Sequence, residues 1–194
     1  MSLKLQLVAD DAQFRQALRT LLEREVDLVV VGEAGDAGEA CVRASSVNPD
    51  VVIVDGDLRA GDACAVTRAV RARRARTRVL VLSFGPTPHG AHAALGTGAS
   101  GIAGKMQPPR ELLGAIRVVG QGGSYLCPSV VAAAGSDAAR GRLNDRELEV
   151  YRLLADGRSE AAIARDLRIS PRTLRALTSR ILAKLGVGSA ARRS

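Results

Sequence analysis

Pro49-Asp50-Val51-Val52-Ile53-Val54-Asp55 runs four apolar residues straight into a carboxylate. A half-exposed strand alternates apolar and polar residues. An unbroken apolar block suits a strand buried on both faces, as in parallel sheets covered by helices. Outward from this stretch the same pattern recurs at Leu28–Val31 and Val79–Leu82, with a weaker run around Ile102. Leu3–Val8 is less clean, because Lys4 and Gln6 alternate with Leu3, Leu5 and Leu7. Helix-length amphipathic stretches at 12–24, 36–46, 62–75, 88–97 and 109–120 separate these runs. Strand and helix in alternation build βαβ units, so residues 1–121 are expected to form an α/β domain, a doubly wound parallel sheet of five strands.

After Gly120 the periodicity fades into small residues, and 122–142 reads as a linker. Residues 143–194 then carry explicit helix punctuation. Asn144 and Glu147 have capping-box spacing, with Leu143 and Leu148 at the staple positions. Gly157 ends that helix and Ser159 caps the next, which places Ile163, Ala164 and Leu167 on one face. Ser170 caps a third helix with Pro171 in its first turn. Leu174, Thr178, Ile181 and Leu185 recur at helical spacing before Gly186. Three short helices that must bury one another's stripes predict an all-α helix-turn-helix domain.

Charge supports that division. Residues 1–135 hold 15 Lys/Arg against 13 Asp/Glu, whereas 136–194 hold 13 against 7, so most of the net +8 lies in the tail. A basic tail suits a polyanion. Two Phe, two Tyr and no Trp argue against a base-stacking platform for single strands. Cys41, Cys64 and Cys127 lack metal-ligand spacing and read as free thiols of a reducing compartment. His89 and His92 are spaced i,i+3, with no Cys, Asp or Glu nearby in sequence to complete a metal site. No apolar run approaches the ~18 residues of a membrane helix. Lys4, Gln6 and Asp10 come too early for a signal peptide, so no membrane contact and a cytoplasmic location are expected.

If the Leu174 stripe faces the bundle core, Arg172, Arg175, Ala176 and Ser179 face outward on the third helix. Arg reads guanine bidentately, Ser donates or accepts, and a small residue permits close approach. Arg158, Arg165, Arg168, Arg180 and Lys184 are placed to neutralise phosphates around them. The segment from Leu143-Asn144-Asp145-Arg146-Glu147 to Leu185-Gly186-Val187 resembles the LuxR-type helix-turn-helix. The resemblance implies that the helix from Thr173 to Arg180 enters the major groove of double-stranded DNA.

Carboxyl ends of strands in a doubly wound sheet gather functional groups. Here they bring Asp10 and Asp11, Asp55, Ser83 and Lys105. Clustered carboxylates call for a hard cation such as Mg²⁺, and a carboxylate can attack a phosphoryl group to give an aspartyl phosphate. With Pro49–Asp55, Val79–Ser83 and Gly98-Ala99-Ser100-Gly101 leading to Lys105, the chain resembles the NarL/FixJ class of response regulators. That resemblance implies Asp55 as phosphoacceptor and Asp10, Asp55 and Asp57 as Mg²⁺ ligands, Asp57 through its backbone carbonyl. It also implies Ser83 and Lys105 as the switch pair and a sensor histidine kinase as partner. Members of the class pair their DNA-binding domains through a fourth helix, for which only Ser189–Ser194 remain here, so any homodimer is expected through the receiver.

The chain departs from the class in places. An ungapped alignment puts Ala9 where the first pocket acid stands, whereas a one-residue deletion keeps both Asp10 and Asp11. Ile102 replaces the switch aromatic. Gly85-Pro86, Gly90, Gly96 and Gly98 predict a loosely held fourth helix. These departures keep open a DNA-binding regulator with a degenerate receiver, independent of phosphorylation. A third reading, a haloacid-dehalogenase-like phosphohydrolase, rests on Asp55-Gly56-Asp57 after a strand. It needs acids after the lysine, where only Glu111 precedes the linker.

Overall fold

The computed structural model describes residues 2–58, 63–134, 143–155, 158, 160–182 and 184. Strands form on the apolar runs: β1 Leu3–Val8, β2 Leu28–Ala34, β3 Val51–Asp55, β4 Arg78–Ser83 and β5 Gly101–Gly104. Between them lie α1 Ala12–Leu22, α2 Ala37–Val47, α3 Ala63–Arg73, α4 Pro88–Gly96 and α5 Pro109–Gly120. All pairings are parallel, in the order β2-β1-β3-β4-β5-β6.

The sheet therefore has six strands rather than the expected five. The addition, β6 Tyr125–Leu126, lies within the expected linker and pairs with Gly101 and Ile102 of β5. Gly101 makes this possible, since a Cβ there would collide with the Tyr125 carbonyl oxygen. α6, Pro128–Ala134, follows at once. Its adjacent valines serve different cores: Val130 is buried in the sheet layer, Val131 among the C-terminal helices.

Alternation along the strands explains the unbroken apolar runs. Val52, Val54, Val79 and Val81 pack with α2, α3 and α4, whereas Val51, Ile53, Leu80 and Leu82 pack with α1 and α5. Burial of each large side chain stabilises by about 1.5–3 kcal/mol. Even the less regular β1 is covered, because Gln6 is fully buried and its Nε2 donates to Ala40 O at 3.0 Å. Thr87 Oγ1 accepts from Gly90 N at 3.1 Å, and Ala91 and Ala94 are buried.

The tail folds as α7 Asp145–Ala155, α8 Glu160–Asp166 and α9 Pro171–Leu182. The capping box is reciprocal: Glu147 N donates to Asn144 Oδ1 at 2.9 Å, and Asn144 N donates to Glu147 Oε2 at 3.0 Å. Ser170 Oγ accepts from Thr173 N at 3.0 Å. Val150, Ile163, Leu174, Thr178 and Ile181 are buried between the helices. Tyr151 Oη donates to Val131 O, which ties α7 to α6, and α9 also touches α4. Gly157, Ser159, Leu185 and Gly186 lie outside the described residues. Among the described residues no helix is long and apolar enough to cross a membrane.

Candidate functional site

The carboxyl ends of β3, β4 and β5 bring Asp55, Ser83 and Lys105 together. Lys105 N donates to Ser83 O at 2.8 Å, which carries the lysine from the end of β5 over the end of β4. Its Nζ then lies 2.6 Å from Asp55 Oδ1, with both side chains almost fully buried. A buried ammonium and carboxylate tolerate desolvation only as a pair.

The Asp57 side chain adds a contact that its expected backbone role does not include. Its carboxylate turns into the pocket, with Oδ2 3.1 Å from Lys105 Nζ, while Oδ1 accepts from Ser83 Oγ at 3.3 Å. Oδ2 also accepts from Phe84 N at 3.0 Å, and Asp57 N donates to Asp55 Oδ1 at 2.8 Å. Gly56 permits the tight turn: its N donates to Leu82 O at 2.6 Å, and a Cβ would stand 2.8 Å from that oxygen. The two groups expected to receive phosphoryl oxygens therefore both contact a carboxylate of the chain itself.

Composition points away from aromatic chemistry, yet both phenylalanines of the chain serve this lysine. Phe14 and Phe84 place their ring centroids 4.5 and 4.3 Å from Lys105 Nζ. Phe84 is 63% exposed and forms the outer cover of the pocket. The available sequence signals are the position of Phe84 directly after Ser83 and that of Phe14 in the first turn of α1.

At the first strand end, Asp11 is the N-cap of α1, accepting from Gln13 N at 2.8 Å and Phe14 N at 3.1 Å. Ala9 is buried and Asp10 is half-buried. Among the described residues no three His, Cys, Asp or Glu side chains come together as a metal site. Asp55 Oδ1 is engaged by Lys105 Nζ and by Asp57 N, so a cation held by Asp55 would share its carboxylate with them. Ile102, at the position expected for an aromatic, is buried in the core.

The second surface is on α9. Arg172, Thr173, Ala176 and Arg180 are exposed there although α9 touches α4. The side chains of Arg175 and Ser179 lie outside the described residues. Lys184, expected at the DNA surface, has Nζ 2.7 Å from Oε2 of Glu147, which is 1% exposed, and keeps its own side chain 38% exposed. The Lys184 ammonium holds the Glu147 carboxyl below the usual glutamate range, against the upward push of burial.

Residues 5–117 match the response regulator receiver domain, and 142–192 match the luxR family of bacterial regulatory proteins. Over 193 residues the chain is 33% identical to the DNA-binding transcriptional activator DevR/DosR of Mycobacterium tuberculosis, spanning 95% of this chain and 88% of the relative. A LuxR-family two-component response regulator from an Aurantimonas species superposes with a TM-score of 0.64 at 30% identity, covering 73% of this chain and 99% of its own. The response regulator RcsB in a DNA complex superposes with a TM-score of 0.63 at 25% identity, covering 96% and 93%.

Proposed function

This chain belongs to the response regulators with a receiver and a luxR-family DNA-binding domain, and on that premise we propose a transcription regulator whose receiver is guarded by Asp57. Asp55 is the phosphoacceptor, and Ser83 and Lys105 receive the phosphoryl oxygens once the Asp57 carboxylate has left them. The observation that carries the reading is the shared grip of Asp55 and Asp57 on Lys105 Nζ, at 2.6 and 3.1 Å. A phosphoryl group brings roughly −1.5 to −2 of charge. Beside it the Asp57 carboxylate is repelled, and its place on Ser83 and Lys105 is the one the new oxygens need.

In this reading the Asp55 carboxylate attacks phosphorus, the donor's leaving group departs, and Lys105 neutralises the added charge. A sensor histidine kinase is the donor, the protein acts in the cytoplasm, and the receiver makes any homodimer. No substrate turnover is assigned to the chain. Arg172, Thr173, Arg175, Ala176, Ser179 and Arg180 on α9 face double-stranded DNA. The exposure of Arg172, Thr173, Ala176 and Arg180 favours that placement.

A specific observation favours a second reading, DNA binding without phosphorylation. Ile102 is buried and offers no ring to move with Ser83, so one contact that separates two receiver states is missing. Incubating the full chain with acetyl phosphate and separating phosphorylated species, with Asp55→Asn as control, decides between them. Label on the wild type that Asp55→Asn abolishes supports the first reading; no label on either supports the second.

A further inference from the structure

At the opposite end of the sheet from Asp55 lies a cleft of about 700 Å³ that takes no part in the chemistry at Asp55. Its lining includes Arg73, Arg74, Arg76 and Arg78, with Asp50 the one acid among the described residues there. Asp50 stands at the start of β3 and Asp55 ends it, roughly 16 Å apart along the strand. The two sites are therefore separate.

The arginines are mounted on an ordered frame. Arg71 Nη1 donates to the carbonyls of Ala75 and, at 2.9 Å, Thr77, which fixes the turn between α3 and β4. Thr77 is buried, and its Oγ1 donates to Pro49 O at 2.9 Å. Arg74 Nη2 reaches Ser45 O of α2 at 2.6 Å. Asp50 Oδ2 accepts from Lys4 N at 2.9 Å, so the acid is held towards β1. Arg73 and Arg76 are exposed at the rim.

Basic residues in the last turn of a helix offset its dipole, which accounts for Arg71 and Arg73. It does not account for Arg76 on the turn and Arg78 on β4, which reach the same cleft from other elements. The volume falls within the range of small-molecule sites. Guanidinium groups recognise phosphate by paired hydrogen bonds, and four of them exceed what a single phosphate needs. Among the described residues no aromatic side chain lines the cleft, so selection rests on phosphate charge rather than on base stacking.

We propose that this cleft binds a small polyanion carrying two or more linked phosphates. The site stands apart from Asp55 and its partners.

The test is calorimetric titration of the full chain with inorganic tripolyphosphate and with ATP at fixed ionic strength. Two double variants accompany the wild type: Arg73→Gln with Arg76→Gln at the cleft, and Arg172→Gln with Arg180→Gln on the DNA-binding domain. Both altered pairs are exposed, so melting curves should match the wild type. Binding should weaken about tenfold in the cleft variant and stay unchanged in the other. Hydrogen exchange should slow at residues 74–78 and 120–122 when ligand is bound. Absence of binding to the wild type at millimolar ligand overturns the proposal. So does equal binding by the cleft variant, or loss confined to the DNA-binding-domain variant.

Discussion

Asp57 Oδ2 stands 3.1 Å from Lys105 Nζ, the same ammonium that contacts Asp55 Oδ1 at 2.6 Å. Two carboxylates thus share one cation in a pocket whose chemistry, in this family, is to gain more negative charge. In the proposed regulator, Asp57 stabilises the pocket before phosphorylation and opposes the charge that a phosphoryl group adds.

Asp57→Ala should therefore make the receiver more responsive. At about 4 Å two unit charges interact by ~1 kcal/mol in water and ~4 kcal/mol near a protein surface. Relief of even the smaller repulsion predicts a gain of about fivefold or more in apparent beryllofluoride affinity. Fluorine NMR titration in Mg²⁺ measures it, and an unchanged or weaker affinity would show that Asp57 does not compete.

Lys184→Ala should destabilise the C-terminal domain, because it leaves the buried Glu147 carboxylate without its cation. A buried acceptor stripped of its partner costs about 1–3 kcal/mol, more when charged. The folded Glu147 pKa is depressed. The stabilisation is therefore complete above the usual glutamate range and is lost as pH falls through the depressed folded value. Thermal melts from neutral to acidic pH should show that acid-side slope in the wild type and a flatter one in the variant. Identical slopes would assign the pair no linkage.

Asn144→Ala should cost about 0.5–2 kcal/mol, since it removes the acceptor for Glu147 N at the start of α7. Urea unfolding reads the loss. Ser170→Ala should cost less, because Thr173 Oγ1, 2.8 Å from Ser170 Oγ, keeps a hydroxyl at the start of α9. Equal losses for the two variants would show that Thr173 gives no such relief.

On DNA, Arg175→Ala should lose about 1–3 kcal/mol at a specific site and relax base preference there. Arg180→Ala should weaken binding evenly across sequences. Binding to specific and random duplexes measures both, and equal losses on the two for Arg175→Ala would remove it as a base reader.

Whatever repeats or is locally punctuated is legible in the sequence. Five strands are marked by apolar runs, and the starts of α7 and α9 by Asn144, Glu147, Ser170 and Pro171. β6 escapes because Tyr125–Leu126 is too short to show a period. Asp55, Ser83 and Lys105 are legible because strand ends are predictable from strands. The direction of the Asp57 side chain is not, since it depends on the turn at Gly56 and on a hydrogen bond from Phe84 N. Nor does periodicity show that Phe14 and Phe84, seventy residues apart, meet on one lysine. Lys184 reads as a surface cation because a charge at the end of a helix looks solvated until a buried acid is found beneath it.

Fluorescence titration of a labelled operator duplex with wild-type protein, with and without Mg²⁺ and beryllofluoride, tests the guarded receiver most directly. Asp55→Asn and Asp57→Ala run in parallel. Wild-type DNA affinity should change less than about tenfold, or ~1.4 kcal/mol, and the change should grow in Asp57→Ala. A much larger gain in the wild type, abolished by Asp55→Asn and no greater in Asp57→Ala, would contradict it.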